Sequence, residues 1–400
     1  MELNLNLAAF RAPAFRLYFI GNAFSLHGLW IQRVTIGWLA WELSGTGAVV
    51  GWVAFLTFAP VMITGPFFGA LIDRMEVRPA AMAVQGSLAA LSLTMAALYS
   101  ADALGLTGLS ALALAIGIVT SAHHPVRMSF APLLAPAGAI TSVVAATSIN
   151  FNVARMVGPA LGGALIANWG VGAALWAVVA CALPYQAILP FLTPRPRNTD
   201  GPRDANILAG LRAGLRHAWR TRFIRRVLIL TGTFAVIGRG LLEILPLVAD
   251  GLFQRGPAGL GVLTSAAGLG ALAGAVLVVT LPPSRAETLP PAARAAAAGG
   301  IVLSPLIVFS SNWPLTVLAV GLLGTLGTVI GVTMQTSVQQ VLRDDMRGRV
   351  MSLWVMVGIG GAALGSLGLG AAADIVGLPT ATGVAAMGCA TVLFSLARTK

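Results

Sequence analysis

A handful of ionisable and amide side chains interrupt an otherwise apolar chain, and they are the residues able to do chemistry. Glu243 follows Arg239 by four residues inside a long hydrophobic run, a spacing that puts both on one face of a helix. A charge at mid-membrane costs several kcal/mol or more unless it is paired or wetted. Two readings of the pair follow. It is a local ion pair that neutralises both groups, or Glu243 is a carboxylate that takes up a proton on one side of a membrane and releases it on the other. Arg33 sits beside Gln32 in the first hydrophobic run, and Arg155 lies three residues after Asn152 in another. Each arginine either meets an anionic ligand or ties helices together. For Arg155 the neighbouring Gly158-Pro159 and Gly162-Gly163 favour close helix packing. Asn22 and Gln335, with Gln32 and Arg33, are the polar groups expected to line a substrate cavity.

The elements that must hold these groups are spanning helices. Of 400 residues 57% are apolar and 10% charged, whereas soluble domains carry roughly a quarter charged residues. Spans of about 20 residues each use about 240 positions for twelve crossings, close to what this composition supplies. The apolar runs are long and continuous, unlike the short alternating segments of a membrane β-barrel. Expected spans are 17–43, 49–72, 79–99, 106–123, 140–169 and 171–192, then 223–249, 258–281, 292–310, 315–341, 350–373 and 378–397. The chain therefore divides into a bundle over 1–192, a linker over 193–222 and a second bundle over 223–400. Within the linker, Ile207, Leu208, Leu211, Leu215 and Trp219 share one helical arc, with Arg212, Arg216 and Arg220 on the next. That pattern predicts an amphipathic helix at headgroup level.

The formal charge of +12 rests on 25 basic and 13 acidic residues. With the N-terminus in the cytoplasm, twenty arginines fall in inner segments and one, Arg255, in an outer loop. This bias predicts both termini inside, and it spreads the basic groups over loops that face anionic lipid, with no groove for nucleic acid. The only lysine is Lys400, so neither a phosphate-binding loop nor an internal Schiff base is available. Cys181 and Cys389 read as buried hydrophobes. The adjacent His123 and His124 diverge on a helix and hold no metal well, and no cofactor is expected. The N-terminus reads as a retained first helix. Gly158-Pro159-Ala160-Leu161-Gly162 matches Gly361-Ala362-Ala363-Leu364-Gly365 at an offset of 203, which points to two repeated halves.

The loop after the second span runs Gly69-Ala70-Leu71-Ile72-Asp73-Arg74-Met75-Glu76-Val77-Arg78-Pro79. It resembles the signature loop of the major facilitator superfamily at Gly69, Asp73, Arg74 and Arg78, and departs from it at Glu76 and Val77. Four stretches resemble the enterobactin-exporter-like branch: Gln32 to Gly45, Pro125-Val126-Arg127, Asn152 to Gly163, and Arg347-Gly348-Arg349-Val350. The resemblance covers nearly the whole chain. It implies an all-α fold of twelve transmembrane helices in two pseudo-symmetric six-helix bundles, a central cavity, and transport driven by an ion gradient. It also implies that Asp73 latches helices on the cytoplasmic face, with Arg127 and Arg349 as candidate cations.

The expectation is a monomeric secondary exporter of an amphiphilic or siderophore-like molecule, coupled to protons, in a bacterial inner membrane. An importer of a small metabolite suits the fold less well, because cavity polar groups are few. A non-transporting polytopic protein or membrane enzyme lacks a reactive cluster of side chains.

Overall fold

The computed structural model describes residues 7–72, 75–196, 207–281, 288–342 and 344–398. Nine helices among them are long and apolar enough to cross a membrane. The first bundle is α1 (Pro13–Ser44), α2 (Gly47–Ile72), α3 (Val77–Ser100), α4 (Leu106–Phe130) and α5 (Ile140–Ile188). After α6 (Ile207–Arg220) the second bundle holds α7 (Arg222–Phe234), α8 (Gly240–Glu243), α9 (Gly256–Thr280), α10 (Pro291–Phe309), α11 (Trp313–Val341), α12 (Asp344–Val376) and α13 (Leu378–Arg398).

The helix α5 holds two crossings. Gly170 takes φ +81°, a left-handed conformation that L side chains rarely adopt, and breaks the helix there. Neighbour contacts show the reversal. Along the first arm, Asn150 donates to the Phe19 carbonyl, and Gly158 and Gly162 abut Trp30 and Ile31, so this arm runs parallel to α1. Along the second arm, Cys181 abuts Gly28 and Tyr185 abuts Gly21, so it runs antiparallel. Together with α1 and the interrupted α7–α8 segment, the arrangement is consistent with twelve crossings.

Helix α1 is long enough to span but is broken up by polar side chains. The seventh crossing departs from the expected continuous helix over 223–249. Its α-helical winding gives way to π turns at Ala235–Arg239 and Leu247–Leu252, with a break at Ile244 just before Pro246. Proline removes a backbone donor and clashes with the preceding turn, which accounts for the break. Such π turns are frequent at functional sites.

The two glycine motifs matched in the sequence do the same job in the two halves. A Cβ on Gly158 would lie 2.6 Å from Trp30 Cβ, and one on Gly361 would lie 2.8 Å from Ala235 Cβ. The fifth crossing thus packs on the first as the eleventh packs on the seventh. The relation extends one residue further. Gly163 abuts Gly261 of α9, while Ser366 abuts Gly51 of α2, so the equivalent contacts α5–α9 and α12–α2 join the halves. With so little hydrophobic drive between helices in lipid, close backbone packing through small residues is the main source of adhesion.

One face of the bundle carries the termini and α6. The opposite face carries only tight connections, over 45–46, 101–105, Gly170, 253–255, 310–312 and Gly377. Gly45, at φ +63°, ends α1 there, with its N–H donating to the Trp41 carbonyl at 2.7 Å. On the termini-bearing face, α6 docks Gly214 on the backbone of Arg349 and buries Ala218. Leu215 and Trp219 remain exposed next to the exposed Arg212, Arg216 and Arg220.

Candidate functional site in the centre of the bundle

Glu243 pairs with Arg33 of α1, on the other half of the molecule. The expected Arg239–Glu243 pair is therefore corrected. The i,i+4 rule assumes uninterrupted α winding, and here Arg239 closes a π turn while the helix ends just after Glu243. Each residue of a π turn rotates by less than in an α-helix, because its hydrogen bonds span five residues. The Glu243 side chain is 9% exposed and that of Arg33 34%. The Arg33 guanidinium sits 4.9 Å from the Trp30 ring centroid and 4.7 Å from that of Phe58. These aromatic faces offset part of the cost of holding a cation away from bulk water.

Two more arginines stand near this pair. Arg155, on the first arm of α5, lies 5.8 Å from the Trp30 ring centroid, close enough to Arg33, Arg239 and Glu243 to feel their charges. A nitrogen of Arg239 lies 3.5 Å from where a Cβ on Gly358 of α12 would sit. Arg239 is solvent-accessible although it lies against Gly358 inside the bundle. That combination belongs to a group lining an open cavity. Among the described residues neither Arg155 nor Arg239 has a carboxylate within ion-pairing distance. The centre thus holds three guanidinium groups and one carboxylate.

The other predicted site residues distribute as follows. Gln32 points away from its neighbour Arg33 and donates to Ser92 of α3 at 2.9 Å. Ser25 donates to Gln85 of α3 at 3.0 Å, and Asn22 is fully buried. Asn22 is thus buried in the core of the first bundle, and Gln32 lines a small pocket inside that bundle with Ser25, Gln85 and Ser92, away from Arg33. Adjacent residues on a helix diverge by about 100°, so Arg33 and Gln32 cannot share one surface. The spacing 22, 25, 32 is itself a single helical face, and grouping those residues shows where they point. Gln335 is exposed on α11.

Asn152 donates to the Ser148 carbonyl of its own helix at 2.9 Å and does not engage Arg155. Gly158, Gly162, Gly163 and Pro159 lie at the contacts of α5 with α1 and α9. Arg127, at the far end of α4, has its guanidinium 5.1 Å from the Phe151 ring centroid. Arg349 abuts α6. Arg78 is partly exposed at the start of α3. Asp73 and Arg74, and the side-chain environment of Gly69, lie outside the described residues.

Sequence reasoning missed the residues that close the opposite face. Asp374, at the end of α12, accepts hydrogen bonds from the backbone N–H groups of Gly47 and Ala48 at 2.7 and 2.8 Å. It caps the N-terminus of α2 from the other half of the molecule. Asp250 accepts from the Trp41 indole at 2.8 Å, again between halves, and from the Gly256 N–H at 3.2 Å. The available signal was charge asymmetry. Acidic residues on a face with a single arginine have few cations to pair with and turn to backbone or indole N–H donors.

A family model described as transmembrane secretion effector matches residues 5–400. The chain belongs to this family. It is a transporter of the major facilitator superfamily, and not an enzyme. Two curated relatives span nearly its whole length. The staphyloferrin A transporter of Staphylococcus aureus is 22% identical over 381 residues, 95% of this chain and 94% of the relative. The enterobactin exporter EntS of Shigella boydii is 25% identical over 389 residues, 95% and 91% of the two chains. Among solved structures, the nucleoside transporter NupG aligns with a TM-score of 0.73 at 14% identity, covering 96% of this chain and 98% of that one. A bacterial homolog of the lysosomal transporter Spinster, inward-facing and unoccupied, gives 0.72 at 15% identity, covering 97% and 98%. At those identities the structural likeness supports the fold alone.

Proposed function

We propose that the chain is a proton-coupled exporter of a small amphiphilic or siderophore-like molecule, working as a monomer by alternating access in a bacterial inner membrane. Relatives named as a staphyloferrin A transporter and an enterobactin exporter support the substrate class. The arginine bias supports a cytoplasmic location for the termini and α6, and the exposed Leu215 and Trp219 suit contact with inner-leaflet lipid. The Asp374 and Trp41–Asp250 links then hold the external side closed.

The observation that carries the mechanism is the Arg33–Glu243 pair between the two halves. Ionised, Glu243 holds Arg33 and ties the first crossing to the seventh. A proton arriving from outside neutralises Glu243 and frees Arg33. Return of the proton to the cytoplasm restores the pair. The bistable contact that alternating access requires is thereby biased by protonation. On the cytoplasmic side, Asp73 serves as a latch when that side closes, with Arg74 and Arg78 flanking it and Arg127 or Arg349 as its cation. Replacing Asp73 by Asn lowers turnover strongly while leaving membrane insertion intact.

Uptake into inverted membrane vesicles, screened over siderophores and dyes with and without a proton gradient, tests the reading. Glu243→Gln is expected to abolish gradient-driven accumulation while sparing counterflow exchange. Coupled accumulation that survives in this variant overturns the role of Glu243, and wild-type accumulation that ignores the gradient overturns proton coupling.

A further inference from the structure

We infer that the transported molecule is a polyanion, carrying at least two negative charges that Arg155 and Arg239 receive. The inference rests on the transporter reading and adds the charge class of its cargo. Its basis is the charge balance at the centre of the molecule. Glu243 compensates Arg33. Arg155 and Arg239 have no carboxylate partner among the described residues. Arg155 lies over Trp30, and Arg239 lies beside Gly358 in an open cavity.

Two uncompensated guanidinium groups this far from either surface are unfavourable in an empty cavity, and an entering dianion cancels that penalty. Guanidinium is also the side chain best shaped for the work. Its planar fork gives paired hydrogen bonds to carboxylate, catecholate or phosphate oxygens, and it stays charged under all working conditions. The groups are spread over three elements. Arg33 comes from α1, Arg155 from α5, and Arg239 and Glu243 from the seventh crossing, so a ligand bridging Arg155 and Arg239 touches both halves at once. The same field disfavours lipophilic cations, since each adds to a surplus of two positive charges.

Binding to the full-length protein in nanodiscs of zwitterionic lipid tests this, because no anionic headgroup is then present to fill the site. The probes are acetate, succinate, propane-1,2,3-tricarboxylate and its uncharged triamide, read by isothermal calorimetry and by thermal stabilisation. Affinity is expected to rise from acetate through succinate to the tricarboxylate, with no binding of the triamide. Arg155→Gln or Arg239→Gln weakens the tricarboxylate by about tenfold or more, and Arg239→Lys recovers part of the loss. The wild-type series stands alone should a glutamine variant fail to insert. Equal binding of the tricarboxylate and the triamide, or tricarboxylate affinity unchanged in both glutamine variants, overturns the proposal. Gradient-driven export of a cationic dye without polyanion binding overturns the charge assignment and leaves the exporter. Polyanion binding without any gradient-driven transport does the reverse.

Discussion

The two seams that join the halves are equivalent by the internal repeat, but they are fastened differently. At α5–α9, Gly163 meets Gly261 and Gly268 meets the backbone of Arg155. At α2–α12, Gly51 meets Ser366 and Gly370 meets the Gly47 carbonyl. Each seam also contains the N-terminus of the second crossing of its bundle, whose first N–H groups have no partner within the helix. For α9 a carboxylate of its own half, Asp250, answers that need; for α2 the carboxylate is Asp374, from the opposite half. The same local demand is met internally in one case and across the divide in the other. The α5–α9 seam is thus a sliding surface of backbone on backbone. The α2–α12 seam adds a fastener that must release before the closed face opens.

Substitutions can separate these two roles. The largest effect is expected at the sliding surface. A side chain on Gly163 has to enter space 2.6 Å from the Pro257 carbonyl oxygen and 2.8 Å from Gly261 Cα, where only backbone could yield. Gly163→Val is expected to reduce transport to background and to lower the melting temperature, checked by vesicle uptake and by thermal unfolding in detergent. Normal transport in this variant would dissolve the distinction between the seams.

Asp374→Ala comes next. It removes two hydrogen bonds to a charged acceptor without adding bulk, and hydrogen bonds of this kind contribute about 1.5–3 kcal/mol each. A net shift of about 2 kcal/mol toward the state open on this face corresponds to roughly a thirtyfold change in population. Spin-label distances between the turn at Gly45 and the turn at Gly377 would report it. Unchanged distance distributions would show that the cap does not hold the halves together. Trp41→Phe should act in the same direction more weakly. It deletes the indole donor and leaves Asp250 its bond to Gly256, so a several-fold population shift is expected from about 1 kcal/mol.

Much of this architecture was legible in the sequence, for simple physical reasons. Lipid requires long apolar helices, so composition gave the fold class, and the glycine motif at offset 203 gave the repeat that the Gly158 and Gly361 contacts embody. The break in the seventh crossing was less visible, because a single Pro246 does not announce π turns on either side of it. The partner of Glu243 was not legible at all. Local spacing offers Arg239, and the residue that meets it lies 210 positions away on another helix. The polar groups of α1 were misjudged for lack of its rotational setting. Gln32 and Arg33 are neighbours in sequence, but one faces Ser92 in the bundle core and the other the carboxylate of the opposite half.

The shortness of the connections on the closed face has a mechanical consequence. One residue separates α12 from α13, and two separate α1 from α2. Such taut links leave no slack for a flap that folds over this face, and they keep adjacent rods from drifting apart. No short link of this face crosses the line between the bundles, so that line is where it is least tied.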